Sequence, residues 1–249
     1  MPPSWSSRSS NHLRILSGDL EQALAAEGLD LVQAFDVQQY NRLITGHATL
    51  QPVPMFGRRH TLAYAVGNSK ALWPVFVASY RRREDLHAHS DPLDQYVHER
   101  VMHCAATIDS THEIYFAHEG GARLVSMVHL AEASALGQRS PVGLAIHPEH
   151  GPWFGMRALI VVDAPPPSSS PEPIATCTGC PAPCRAAYDH ALVSITEHEL
   201  ATGDLETSWR AWVAVRDACP VGRQSRYGEA QIRYHYTKDR AALMADEER

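Results

Sequence analysis

From Leu13 to Glu27 apolar positions recur at the spacing of a helix with one buried stripe, and Ser17 and Gly28 punctuate it. Leu29–Phe35 then turns extended, and Thr61–Val66 is a second short apolar strand. The pattern next predicts a helix from Ser69, its cap, to Arg82, and another from Asp91 to Met102. Asp91-Pro92 supplies the second with an N-cap and a proline in its first turn. Glu113–Ala117 is extended, Gly120-Gly121 is a turn and Arg123–Leu136 is helical. Leu144–His147 and Met156–Asp163 read as strands joined by the loop Pro148–Phe154.

Helices and strands alternate along this stretch, but its last two strands follow each other directly. An α+β fold with a mixed or antiparallel sheet is the expected outcome. The run Ala164–Pro173 is rich in proline and serine, lacks a regular set of backbone donors and has nothing apolar to bury, so it reads as a linker. Four segments follow: a disordered N-terminus over 1–12, a core over 13–163, the linker over 164–173 and a helical cap over 174–249. The cap's helices are expected at Leu205–Arg216 and from Gly228 to Glu247. No internal repeat is visible.

The 249 residues are 44% hydrophobic and 20% charged, the balance of a globular chain with a full core. A net charge of −6 argues against a nucleic-acid surface, which needs a basic face. The dense run Arg81-Arg82-Arg83 reads as a solvated helix end, where cations are favoured. No stretch is apolar for long enough to cross a bilayer, and the N-terminus lacks the apolar core of a signal peptide, so a cytoplasmic location is expected.

Four of the five cysteines fall in the last third, with Cys177, Cys180 and Cys184 close together and Cys219 following a tryptophan-bearing helix. In a cytoplasmic chain such crowding points to a metal or cluster site more than to disulfides. Cys104 stands apart, at the end of an amphipathic stretch, as a buried core thiol.

The segment Trp209-Arg-Ala-Trp212-Val-Ala-Val-Arg216-Asp217-Ala, followed by Arg226-Tyr227-Gly-Glu-Ala-Gln231 and Tyr234, resembles the C-terminal signature of cblC-type cobalamin decyanases and dealkylases. Upstream, Ile146-His147-Pro-Glu-His-Gly-Pro-Trp153-Phe154-Gly-Met-Arg157 is similar to the family's His-Pro loop and Trp-Phe-x-x-Arg strand. Asp91-Pro-Leu-Asp94, Tyr40-Asn41 and Thr61-Leu-Ala63 fall in the family's order. The resemblance runs from about Leu20 to Leu243 and is densest after His147.

It implies a flavin-nitroreductase-like core under a C-terminal cap, with base-off cobalamin between them and glutathione or reduced FMN as electron source. A cobalt without its axial nitrogen is easier to reduce, which suits decyanation, whereas dealkylation needs a thiolate that attacks the alkyl group as cobalt(I) leaves. The resemblance places Arg157, Arg216 and Arg240 around the carboxylates of glutathione, a task that suits the bidentate, permanently charged guanidinium. It places His118, Met127, His147, Trp153, Phe154, Trp209, Trp212 and Tyr227 around the corrin, His118 without need to ligate cobalt. From the residues alone, Arg216 could equally pair with an acid, Arg240 sit exposed on its helix and the aromatic residues be plain core.

The run Cys177-Thr-Gly-Cys180-Pro-Ala-Pro-Cys184 resembles the iron–sulfur cap of bacterial relatives, including the epoxyqueuosine reductases, one residue longer in its second gap than a ferredoxin run. Tyr188 stands where a fourth cysteine would fall, and Cys219-Pro220 comes later. By that likeness the four cysteines would hold one [4Fe–4S] cluster; zinc on the same thiolates and unligated thiols are the alternatives. A non-catalytic cobalamin carrier and a flavin-dependent reductase without B12 stand beside the enzyme reading. Expected partners are cobalamin, a small reductant and a reductase or B12-accepting enzyme, with the chain a monomer or homodimer.

Overall fold

The computed structural model describes residues 18–169, 171–202, 205 and 207–244. Residues 18–26 are helical (α1), and the predicted start of that helix at Leu13 lies outside the described residues, as does the N-terminal stretch 1–12. Strands β1 (Leu31–Asp36), β2 (Leu62–Asn68) and β3 (His112–Phe116) join a later strand, Gly155–Val162, in one four-stranded sheet. Every pairing in it is antiparallel, so the expected α+β class holds in its antiparallel form.

Two apolar layers cover the sheet, because alternate residues of each strand face opposite sides. Tyr64, Val66, Ile114 and Ile160 pack with Leu20 and Leu24 of α1, Phe76 of α3 (Leu72–Arg82) and Val97 of α5 (Pro92–Ala105). The same cluster takes in Cys104, which is buried as expected. On the opposite face, Ala63, Ala65, Leu159 and Val161 pack with Tyr40 of α2 (Gln38–Leu43) and Leu130 of α6 (Met127–Ala133).

Several predicted boundaries shift for identifiable reasons. The Asp91 cap forms, its carboxylate accepting from the Asp94 N–H at 3.2 Å. Ser69 stands one turn ahead of the helix: Asp30 takes its N–H and its hydroxyl at 2.7 and 2.6 Å, its Oγ accepts the Ala71 N–H at 3.1 Å, and α3 opens at Leu72. A short helix α4 (Glu84–His87) extends the turn after α3. The expected helix Arg123–Leu136 shrinks to α6, because Ser126 caps it and Ala135 turns left-handed at φ 56.

Leu144–His147 does not join the sheet. Its extended part is β5 (Ala145–Ile146), which pairs only with β4 (Gln138–Arg139) in a two-stranded ribbon. The sheet's fourth strand, Gly155–Val162, is therefore β6.

Beyond the proline-rich run, α7 (Cys184–Val193) and α8 (Glu197–Thr202) were not predicted. The expected helix Leu205–Arg216 begins later, as α9 (Trp209–Asp217). The expected final helix breaks into α10 (Glu229–Thr237) and α11 (Ala241–Met244), since Lys238 adopts a left-handed conformation, φ 54, at the end of α10. Tyr234, Ala242 and Leu243 pack into the same cluster as Leu20 and Phe76, so the C-terminal helices are part of the main core. No helix among the described residues is long and apolar enough to cross a membrane.

Candidate active site

The site begins with a bulge. On β2, Val66 faces Ala158 and Gly67 faces Met156, which leaves Arg157 of β6 without a partner across the ladder. An extra residue of this kind bends its strand and re-aims its side chain. The Arg157 side chain is only 13% exposed. Its Nε donates to the Oδ1 of buried Asn68 at 2.6 Å, and its Nη1 lies 4.0 Å from the Asp94 carboxylate on α5.

Opposite the bulge stand α9 and α10. Between them and the start of β6 lies a cavity of about 470 Å³, within the usual range for small-molecule sites. Trp153, Phe154, Tyr227, His235 and Tyr236 give it flat walls, and Arg157, Arg216 and Lys238, the last paired with Asp91 at 2.6 Å, place cations in them. Among the described residues no carboxylate lines it. Arg216 donates through Nε to the Tyr236 hydroxyl at 3.0 Å and through Nη1 to the Pro152 carbonyl, and sits 5.9 Å from the Trp153 ring centre. Among the described residues no ion pair joins it to a carboxylate.

Two polar groups in the walls are held in unusual states. The buried Tyr227 hydroxyl faces Asn68 but completes no hydrogen bond, and burial raises its pKa while Arg157 and Arg216 pull the other way. His235 is pushed well below the ordinary imidazole value, first by burial and then by Arg157, Lys238 and Arg216. It is therefore neutral at pH 7. Neither His235 nor Lys238 was predicted as a site residue.

The cavity keeps its shape through a backbone contact. Gly151, in the loop before β6, and Gly222, after α9, are both left-handed, φ 57 and 72. A Cβ on Gly151 would lie 2.0 Å from the Val221 carbonyl oxygen, and one on Gly222 would lie 2.1 Å from the His150 carbonyl carbon. Only glycine permits this approach. Below it, His147 accepts from the Glu149 and His150 N–H groups through Nδ1, at 3.1 and 3.2 Å. Burial and neighbouring His150 lower its pKa to about 4.

Five of the predicted residues thus meet at the cavity: Trp153, Phe154, Arg157, Arg216 and Tyr227. Trp212 lines an adjoining pocket of about 220 Å³ that shares Leu205, Arg216 and Tyr236 with the main one. Trp209 packs near Tyr236 and opens on a larger groove of about 840 Å³ beyond α9 and α10. In that groove two arginines, Arg210 and Arg233, face two acids, Glu229 and Asp239, and Arg233 pairs with Asp239 at 2.6 Å, so the smaller cavity with its excess of cations is the better site for an anion.

The remaining residues lie elsewhere. His118 is exposed and stacks on Phe116, which in turn stacks on His98. Met127 packs against the apolar cluster under α6, and His147 holds its own loop. Arg240 donates to the carbonyls of His87, His89 and Ser90, which fastens the chain between α4 and α5 and takes it out of the cavity set.

Cys177, Cys180, Cys184 and Cys219 line one small void together with Ile146, Pro183 and Val215. All four thiols are free. Burial raises the pKa of Cys177 and of Cys219, and the other thiols of the group push both further up. Among the described residues no three His, Cys, Asp or Glu side chains already stand in a metal-holding arrangement. The void measures about 20 Å³, room for roughly one atom-sized guest. As it stands the void is smaller than an eight-atom iron–sulfur cubane, and no step is derived through one.

No protein-family model matches the chain. It is 26% identical to the cyanocobalamin reductase / alkylcobalamin dealkylase of Bos taurus, over 92% of this chain and 81% of that protein. The Homo sapiens protein of the same name is 27% identical over 92% of this chain and 80% of its own length. Among solved structures, a C. elegans B12-trafficking protein CblC, a human MMACHC homologue, superposes with a TM-score of 0.65 at 15% identity. That match covers 94% of this chain and 96% of the other and establishes a shared fold. The chain is similar to cblC-type proteins along nearly its whole length.

Proposed function

We propose that this chain binds cobalamin across the cavity between β6, α9 and α10 and removes its upper axial ligand by reduction or by thiolate attack. The observation that carries the reading is the wall itself. Flat aromatic faces and three cations, with no carboxylate among the described lining residues, meet in the segments where the resemblance to cyanocobalamin reductase / alkylcobalamin dealkylases is densest. A macrocycle binds through flat apolar contact, and an anionic co-substrate through charged donors.

On this reading Trp153, Tyr227 and, in the adjoining pocket, Trp212 pack on the corrin. Arg157 and Arg216, which flank the Tyr227 hydroxyl, hold the carboxylates of a thiol reductant of the glutathione class. Lys238 takes the place that the resemblance gave to Arg240. In decyanation electrons reach cobalt and cyanide departs. In dealkylation the reductant's thiolate attacks the alkyl carbon, a thioether forms and the cobalt–carbon electron pair stays on cobalt. Neutral His235 adds no charge of its own.

Incubation of the purified chain with cyanocobalamin and glutathione tests this. Enzyme-dependent cyanide release supports it, whereas a spectral change on binding without turnover would make the chain a carrier.

A further inference from the structure

We propose that Cys177, Cys180, Cys184 and Cys219 hold one thiophilic divalent cation of the zinc class, which fastens the start of α7 to the end of α9. Four thiols from two distant stretches open onto a single void sized for about one ion. Four thiolates in a C-x2-C…C arrangement are the donor set of closed, tetrahedral zinc sites.

The backbone around them is built for convergence. The Cys180 N–H donates to the Cys177 carbonyl at 3.2 Å, and left-handed Gly179, φ 74, lets the chain between them turn. Gln138 of β4 accepts the Cys177 N–H at 2.7 Å and ties that turn to the ribbon. Cys184 is the first residue of α7. Cys219 follows α9, its N–H donating to the Arg216 carbonyl at 3.1 Å.

The sulfurs do not yet share a centre. Cation binding therefore draws them inward to about 2.3 Å from the ion, displacing their thiol protons. Because Arg216 and Trp212 ride on α9, the ion also fixes the wall of the neighbouring cavity. This site stands independently of what that cavity binds.

Titration of the reduced, metal-free full chain with cobalt(II) tests it without mutation. Thiolate charge-transfer bands and the intense visible bands of a tetrahedral centre should saturate at one equivalent, and zinc should bleach them. Cys219→Ser and Cys177→Ser should each weaken cobalt binding by at least about tenfold. The absence of such bands in the wild-type chain, or iron with matching acid-labile sulfide after anaerobic purification, would overturn the proposal.

Discussion

At the scale of single residues, the cavity's charge and its unpaired hydroxyl make separable demands. Arg216 is ion-paired with no carboxylate among the described residues, so on the proposed reading its guanidinium meets a carboxylate of the co-substrate. Arg216→Ala should weaken binding of the thiol co-substrate by roughly tenfold or more, the range of a charged hydrogen bond, while cobalamin affinity changes far less. Isothermal titration with each ligand checks this; equal losses would assign Arg216 to the fold or the corrin. Tyr227→Phe acts the other way on the empty protein. It removes a buried hydroxyl that no neighbour satisfies, so the ligand-free melting temperature should rise by about 2–4 °C. The further rise on adding cobalamin should shrink, because the hydroxyl's partner on this account is the ligand.

His147 sets a pH window. Its folded pKa of about 4 lies below the unfolded value near 6.5, so the unfolded chain takes up the proton first. Its contribution is intact above about pH 6.5 and is lost as the pH falls toward 4. His235, lowered in the same direction, adds to the loss. His147→Asn keeps an acceptor for the loop N–H groups without the titration. Urea melts between about pH 7 and 4 should show a shallower fall for this variant, on the order of 1–2 kcal/mol in difference. Parallel curves would remove His147 from the account.

At the scale of elements, α9 starts where a carboxylate from another helix tells it to. Glu199 of α8 accepts from the N–H groups of Thr207 and Ser208, both at 2.8 Å, and from Thr196 at 2.9 Å. These bonds hold its pKa well below the ordinary carboxylate value, so the support is present above about pH 4.5 and is lost on acidification. Glu199→Gln should loosen the start of α9, seen as faster amide exchange there at neutral pH. Unchanged protection would refute the role. Gly222→Ala puts a Cβ into the backbone of the His150 loop and should cost several kcal/mol by chemical denaturation, well beyond an ordinary glycine replacement.

These elements also mark how far the sequence could be read. Strands β1, β2, β3 and β6 and the Asp91 cap were legible because each is set by local alternation or by one side chain bonding its own helix. The start of α9 was not, because Glu199 acts on it from outside the helix. Arg157 was legible as a residue, but the bulge that turns it into the cavity depends on register against Gly67, which no local pattern encodes. His235 sits beside Tyr234 in an aromatic run, and only the packed helix decides that Tyr234 enters the core while His235 reaches the cavity. Arg240 stands away from the cavity because it follows the break at Lys238 and donates to the carbonyls between α4 and α5.

At the scale of the molecule, one antiparallel sheet carries Arg157 at the end of β6, and the C-terminal helices fold back into the same core to close the cavity over it. The two loops that bound its walls meet backbone to backbone at Gly151 and Gly222. A lower ligand has no evident place between the corrin and such flat, close walls, so cobalamin should bind with its benzimidazole detached. The absorbance spectrum of cyanocobalamin titrated with the chain at neutral pH tests this most directly. Saturable conversion to the base-off spectrum, weakened in Trp153→Ala, is the expected result; a base-on spectrum at saturating protein would contradict it.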